Sequence, residues 1–100
     1  MNQKQKITMN EKIPVKLTIH DRNLLLEETF IDDVKIELLQ SAEEQSGMIT
    51  IHLTLDDLDD LLGTIAFHAN HADDSKLEAI FDEMYDRLSE IESMYEMIED

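Results

Sequence analysis

From Leu77 onward, apolar side chains recur at steps of four and three: Leu77, Phe81, Met84, Leu88, Ile91, Tyr95 and Ile98, with no proline or glycine between them. At about 100° per residue these positions form one stripe, and Glu78, Asp82, Glu83, Asp86 and Glu90 fall on the opposite side. Ser75-Lys-Leu-Glu78 reads as a capping box ahead of the stripe. The spacing predicts a helix over 76–98. A helix with one apolar stripe must bury it against another element. The nearest candidate is the stretch before it, where Leu55, Leu58, Leu62, Ile65 and Ala69 share a face. Thr54 stands at its N-cap, and Asp56 and Asp57 lie at its positive end. The turn at Asn70–Asp74 then folds 55–69 and 76–98 into an antiparallel helical hairpin.

The rest of the chain has few breakers: two glycines and one proline in 100 residues. Short turns and long regular elements follow. Ile13-Pro-Val-Lys-Leu17 reads as a strand, placed at an edge because Pro14 has no N–H to donate. Thr18 with Asp21 resembles a capping box and opens a helix over 19–28. Ile31, Val34, Leu38 and Leu39 fit a second helical stripe behind Asp32 and Asp33, although Val34, Ile36 and Leu38 also alternate as a strand would. Ser41 to Gly47 is a polar loop. Met48-Ile-Thr-Ile-His-Leu53 alternates with β-branched residues and reads as a strand.

Val15-Lys-Leu-Thr-Ile-His-Asp matches Ile51-His-Leu-Thr-Leu-Asp-Asp at an offset of 36, and Leu25-Leu26 then matches Leu61-Leu62. Each copy says strand, threonine cap, amphipathic helix. Duplication and convergent capping chemistry both produce such a match. The expected fold is α+β, mainly α, with the order β-α-α-β-α-α, a small two-stranded sheet and the C-terminal hairpin. Residues 1–10 are polar and unpatterned and are expected to be a disordered N-terminal segment. Residues 11–100 form one domain.

Charge narrows the functional classes. The formal net charge is −16, from 24 acidic and 8 basic residues. The basic side chains gather early, at Lys4, Lys6, Lys12, Lys16 and Arg22, so the remainder is strongly acidic. Such a surface repels phosphate, which argues against direct nucleic-acid binding and against anionic membranes. It favours a basic partner. There is no cysteine, hence no disulfide or thiolate chemistry. No apolar run reaches the ~20 residues of a membrane span, and no secretory leader is legible, so the cytoplasm is the expected compartment.

Several groups of residues invite a chemical reading. His68 and His71 lie i, i+3 at the end of the third helix, with Asp73 and Asp74 following, and could hold a divalent metal. The alternative is that His and Asn70 simply end the helix, through the dipole and the left-handed conformation that Asn tolerates. Leu55-Asp-Asp-Leu-Asp-Asp-Leu61 lacks the turn glycine and terminal Glu of a calcium loop and reads as a core stripe. No nucleophile stands beside a base, and no cofactor motif is present, so the chain reads as non-enzymatic.

Phe67 points away from the buried face of its helix, near Asp60 and Thr64. Either the first two helices cover it, which is the expected case, or a partner does. Ile91, Met94, Tyr95, Met97 and Ile98 lie where the last helix outruns the third. They would bind a second copy or another protein unless the N-terminal segment or first helix covers them.

The stretch Leu53-Thr-Leu-Asp-Asp-Leu-Asp-Asp-Leu-Leu-Gly63, then Ala69-Asn-His71 and Lys76-Leu77, resembles the C-terminal half of small uncharacterised bacterial proteins. Their pattern is L-T-L-D-x-L-x-x-L-x-G, then A-N-H, then D-x-K-L. The resemblance spans about residues 50–90. It implies a bacterial origin and draws attention to Asn70 and His71, without implying an activity or a role for either.

The leading expectation is a protein-interaction or regulatory module whose partner is another protein, basic in character, or a second copy of itself. Two alternatives stand beside it. One is a nucleic-acid mimic presenting Asp56, Asp60, Asp82 and Asp86 as a phosphate-like track to a DNA-binding protein. The other is a metal-binding protein using His68, His71, Asp73 and Asp74.

Overall fold

The computed structural model describes residues 4–98. Eight elements follow in order: β1 (Gln5–Ile7), β2 (Ile13–Thr18), α1 (Ile19–Glu28), α2 (Asp33–Ser41), β3 (Met48–Leu53), α3 (Leu55–Asn70), α4 (Ser75–Glu92) and β4 (Tyr95–Met97). The fold is α+β and mainly helical. The expected order is present from β2 to α4, and the α3–α4 hairpin is the largest packing interface. Residues 33–41, which the pattern left open, are helical, and Asp32 caps them by accepting from the Lys35 N–H.

The period-two pattern of β2 and β3 gives the sheet one buried face. Ile13, Val15 and Leu17 face inward beside Ile49, Ile51 and Leu53. The helices close over that face with Leu25, Leu39, Leu58, Leu61, Leu62, Ile65, Phe81, Met84 and Leu88, all buried in one cluster.

Sheet register explains the internal match. β2 and β3 run antiparallel with Ile13 opposite Leu53, Val15 opposite Ile51 and Leu17 opposite Ile49. Adding the offset of 36 to Ile13, Val15 and Leu17 gives Ile49, Ile51 and Leu53, the same residues in reverse order. The strands of the two β-α-α units are therefore related by a local twofold through the Val15–Ile51 pair. Thr18 and Thr54 cap the first helix of each unit in the same extended conformation, accepting from the Asp21 and Asp57 N–H groups. At the first cap the box is complete, because the Asp21 carboxylate also accepts from the Thr18 N–H at 3.2 Å.

Two ion pairs cross between the units, one in each direction. Arg87 on α4 donates to both oxygens of Asp21 on α1, at 2.8 and 3.0 Å, and Asp21 is only 2% exposed. Lys35 on α2, 5% exposed, donates to Asp32 at 2.6 Å and to Asp60 on α3 at 3.2 Å. Burial pushes the Asp21 carboxyl up, but the Arg87 guanidinium and the Thr18 N–H outweigh it and hold the group below the usual carboxylate range. Burial likewise works against the Lys35 ammonium, and the two carboxylates reverse the effect.

Three expectations are corrected. Residues 5–7 are not disordered: β1 pairs in parallel with β4, Gln5 opposite Tyr95 and Ile7 opposite Met97, and Ile7 is buried in the core. Residues 1–3 of the expected disordered segment lie outside the described residues. The last helix stops at Glu92 rather than 98. Ser93 donates from its backbone to Ser89 and from its hydroxyl to the Glu90 carbonyl, and the chain then turns to meet β1. Nothing local forbids a longer helix; the pairing with Gln5–Ile7 redirects it. Finally, Ser75 is the first helical residue, not the cap. Asp74 takes that place and accepts from the Lys76 N–H at 2.8 Å.

The polar loop ends in a two-residue turn. Gln45 and Met48 exchange backbone hydrogen bonds at 2.8 and 3.1 Å around Ser46 (φ 55°) and Gly47 (φ 79°). Two consecutive positive φ values match a type I′ turn, which favours Asn-Gly over Ser-Gly. Ser46→Asn is expected to raise the stability by about 0.5–1 kcal/mol. Gly47→Ala is expected to lower it by about 1–2 kcal/mol through backbone strain alone, since no atom lies within 4 Å of the added methyl. Chemical denaturation of the two variants checks both signs.

Candidate functional site

Among the described residues, the two most exposed aromatic side chains border one groove, while Tyr85 on α4 is exposed elsewhere. Phe30 occupies the short connection between α1 and α2, and its ring is 89% exposed. Phe67, on the outward face of α3, is 53% exposed. The two Phe side chains border a shallow groove of about 490 Å³ that also takes in Asp59, Asp60, Gly63, Thr64 and His68. Helical spacing explains the α3 side, because Asp59, Gly63 and Phe67 follow one another at i, i+4 along one face. The Phe30 side depends on the ion pair described above. Lys35 ties the start of α2 to Asp60, and this holds the 29–32 connection against α3.

His68 joins the surface to the core. Its ring centroid lies 5.6 Å from Phe30, 5.4 Å from Phe67 and 6.1 Å from the fully buried Phe81. His71 stacks on Phe67 at 4.2 Å with the planes 25° apart. Phe67 is thus flanked by two histidine rings, while Phe30 meets His68 along one side and is otherwise in water. An exposed aromatic patch of this kind is the sort of surface that serves as a contact site.

Gly63 sits in the interior of α3 at the floor of the groove. A mid-helix glycine costs roughly 1 kcal/mol relative to alanine. Nothing lies within 4 Å of a methyl placed there, and its φ is not positive. Neither internal packing nor backbone conformation requires a glycine at this position.

The acidic rim has two unlike halves. Asp60 shares the Lys35 ammonium with Asp32. At Asp59, by contrast, the nearby group is Glu92 on α4. Burial first, and then the Asp59 carboxylate, push the Glu92 carboxyl above its ordinary range, so two acidic side chains neighbour one another at that edge.

The expected cover over Phe67 is therefore absent: α1 and α2 contribute Phe30 beside it and leave both rings exposed. Phe30 and Gly63 had not stood out in the sequence. The usable signals were an aromatic residue inside an acidic connection, Glu27-Glu28-Thr29-Phe30-Ile31-Asp32-Asp33, and a glycine inside a well-patterned helix.

The second expected surface is largely covered. Ile91, Tyr95 and Met97 are half-buried, with β1 laid along β4, and only Met94 and Ile98 remain exposed. The free helix end expected at 91–98 does not exist, because the N-terminal segment occupies it.

The metal reading also fails on geometry. Among the described residues no group of three or more His, Cys, Asp or Glu side chains is placed to hold an ion. His71 Nδ1 lies 2.8 Å from the Phe67 carbonyl and Asp74 caps α4, so both are engaged locally. Asp73 is exposed beside them. Asn70 is the last residue of α3 and has no left-handed φ; His71 is the C-cap. Of the acidic residues considered as a phosphate-like track, Asp56, Asp82 and Asp86 are exposed on α3 and α4, and Asp60 is drawn into the Lys35 pair.

No protein-family profile, curated protein or solved structure matches this chain. The resemblance over residues 50–90 stays an expectation, and the functional reading rests on the groove.

Proposed function

We propose that this protein is a non-enzymatic interaction module that holds a basic partner protein in the groove between Phe30 and Phe67. One observation carries the reading: two phenylalanines stand exposed beside a common histidine and are bordered by carboxylates. Aromatic anchors inside a polar rim are the usual composition of an energetic hot spot. The acidic rim selects the partner's charge. A second copy is disfavoured as occupant, since two chains of net charge −16 would set acid against acid.

The test is a paired capture with the wild type and the Phe30→Ala/Phe67→Ala double variant. Both rings are largely solvent-exposed, so the variant is expected to melt within a few degrees of the wild type. A partner bound by the wild type and weakened at least about 30-fold by the double variant supports the reading. Equal binding by both proteins, or no enrichment over an unrelated acidic protein of similar charge, removes it.

A further inference from the structure

We infer that the occupant of the groove is an amphipathic basic helix whose backbone crosses α3 at Gly63. The inference rests on the interaction reading above and adds the form of the partner. Three observations lead to it.

The first is backbone chemistry. The α3 wall of the groove is helix, whose own N–H and C=O groups are already paired, so it offers no strand edge. An extended peptide laid there would find no main-chain partners. A helix brings its own hydrogen bonds and needs only side-chain contact.

The second is Gly63. Its missing side chain leaves a notch midway between the acidic rim and Phe67, open to solvent and unexplained from within the chain. A small residue at a crossing point lets two helix backbones approach closely, with large side chains on either side acting as stops. Phe67, one turn along, and Phe30, across the groove, are placed to be those stops.

The third is charge. Asp59 lines the groove, is in no salt bridge among the described residues, and neighbours a second acid, Glu92. A lysine or arginine one turn from the partner's apolar anchor would meet Asp59 while the anchor lies between the rings.

The experiment titrates the full-length, ¹⁵N-labelled protein with three synthetic peptides. One is a basic amphipathic helix with leucines at i, i+4 and arginines flanking them. The second has the same composition, interrupted by two central prolines. The third carries glutamates in place of the arginines. The basic helix is expected to shift the amides of Phe30, Gly63, Thr64 and Phe67, and to bind more weakly as salt rises. The other two peptides are expected to bind at least tenfold more weakly.

Gly63→Leu puts bulk into the notch, and its Cβ meets no atom within 4 Å. It is expected to lose at least tenfold in affinity for the basic helix while melting no lower than the wild type. Retained affinity in Gly63→Leu overturns the crossing. Equal binding of the proline-broken peptide overturns the helical occupant and leaves the groove reading standing. Absence of groove shifts with every peptide, joined to equal partner capture by the Phe30→Ala/Phe67→Ala protein, removes both.

Discussion

Asp21→Ala is expected to destabilise the protein by about 2–3 kcal/mol, a fall in Tm of roughly 10–20 °C for a chain of this size. The residue lies in the first turn of α1, yet it receives two hydrogen bonds from Arg87 on α4 and one from the Thr18 N–H. Removing one partner of a buried pair commonly costs about 3–5 kcal/mol. Here the Arg87 side chain is 42% exposed and can turn to water, which sets the lower figure. Asp21→Asn keeps the cap and loses the charge, so it should fall between wild type and Asp21→Ala.

The loss is also pH-dependent. The folded carboxyl lies below its unfolded value of 3.8, so its contribution is complete above that value. The contribution is lost as the pH falls through the lower, folded value. Stability curves of wild type and Asp21→Asn should therefore stand apart at neutral pH and converge in acid. Curves that stay parallel down to acid unfolding would contradict the assignment of this carboxylate.

Ile7→Ala is the second large effect, about 2–3 kcal/mol, at the low end for truncating a buried isoleucine. Ile7 is the one buried side chain of β1, and it secures a parallel pair only three residues long on each strand. So short a sheet has little stability of its own. The expected response is local. Backbone hydrogen bonds from Gln5 to the Met94 carbonyl and from Ile98 to the Ile7 carbonyl should open, and Tyr95 and Met97 should gain exposure. Hydrogen exchange at Gln5 and Ile98 should accelerate well beyond that in α3. Unchanged protection there would mean that the hairpin end is closed by something other than β1.

How far these features were legible depends on the range over which each is encoded. Strand alternation at 48–53 and threonine caps at 18 and 54 are local devices, and the elements they announce are present. The hairpin was readable because both stripes are long. Features that depend on distant partners were not. The turn after Glu92 has no breaker and comes from pairing with residues ninety positions earlier. Asp21 looked like a cap and is also the anchor for Arg87. Lys35, a lone cation in an acidic helix, gave no hint that it would be buried. The groove was half visible: the wrong-facing position of Phe67 followed from helical geometry, but Phe30 joins it only through the tertiary placement of the 29–32 connection.

The placement of the buried ions has an energetic consequence. Asp21 and Lys35 both belong to the first β-α-α unit, whereas the groups they meet in the second, Arg87 and Asp60, have side chains 42% and 71% exposed. Were β3, α3 and α4 to unravel alone, the remaining half would hold an Asp21 carboxylate stripped of its guanidinium and a Lys35 ammonium left with Asp32, beside a lone strand. Were the first unit to unravel instead, Arg87 and Asp60 could turn to water. Partial unfolding that begins in the C-terminal half is therefore the more heavily penalised of the two.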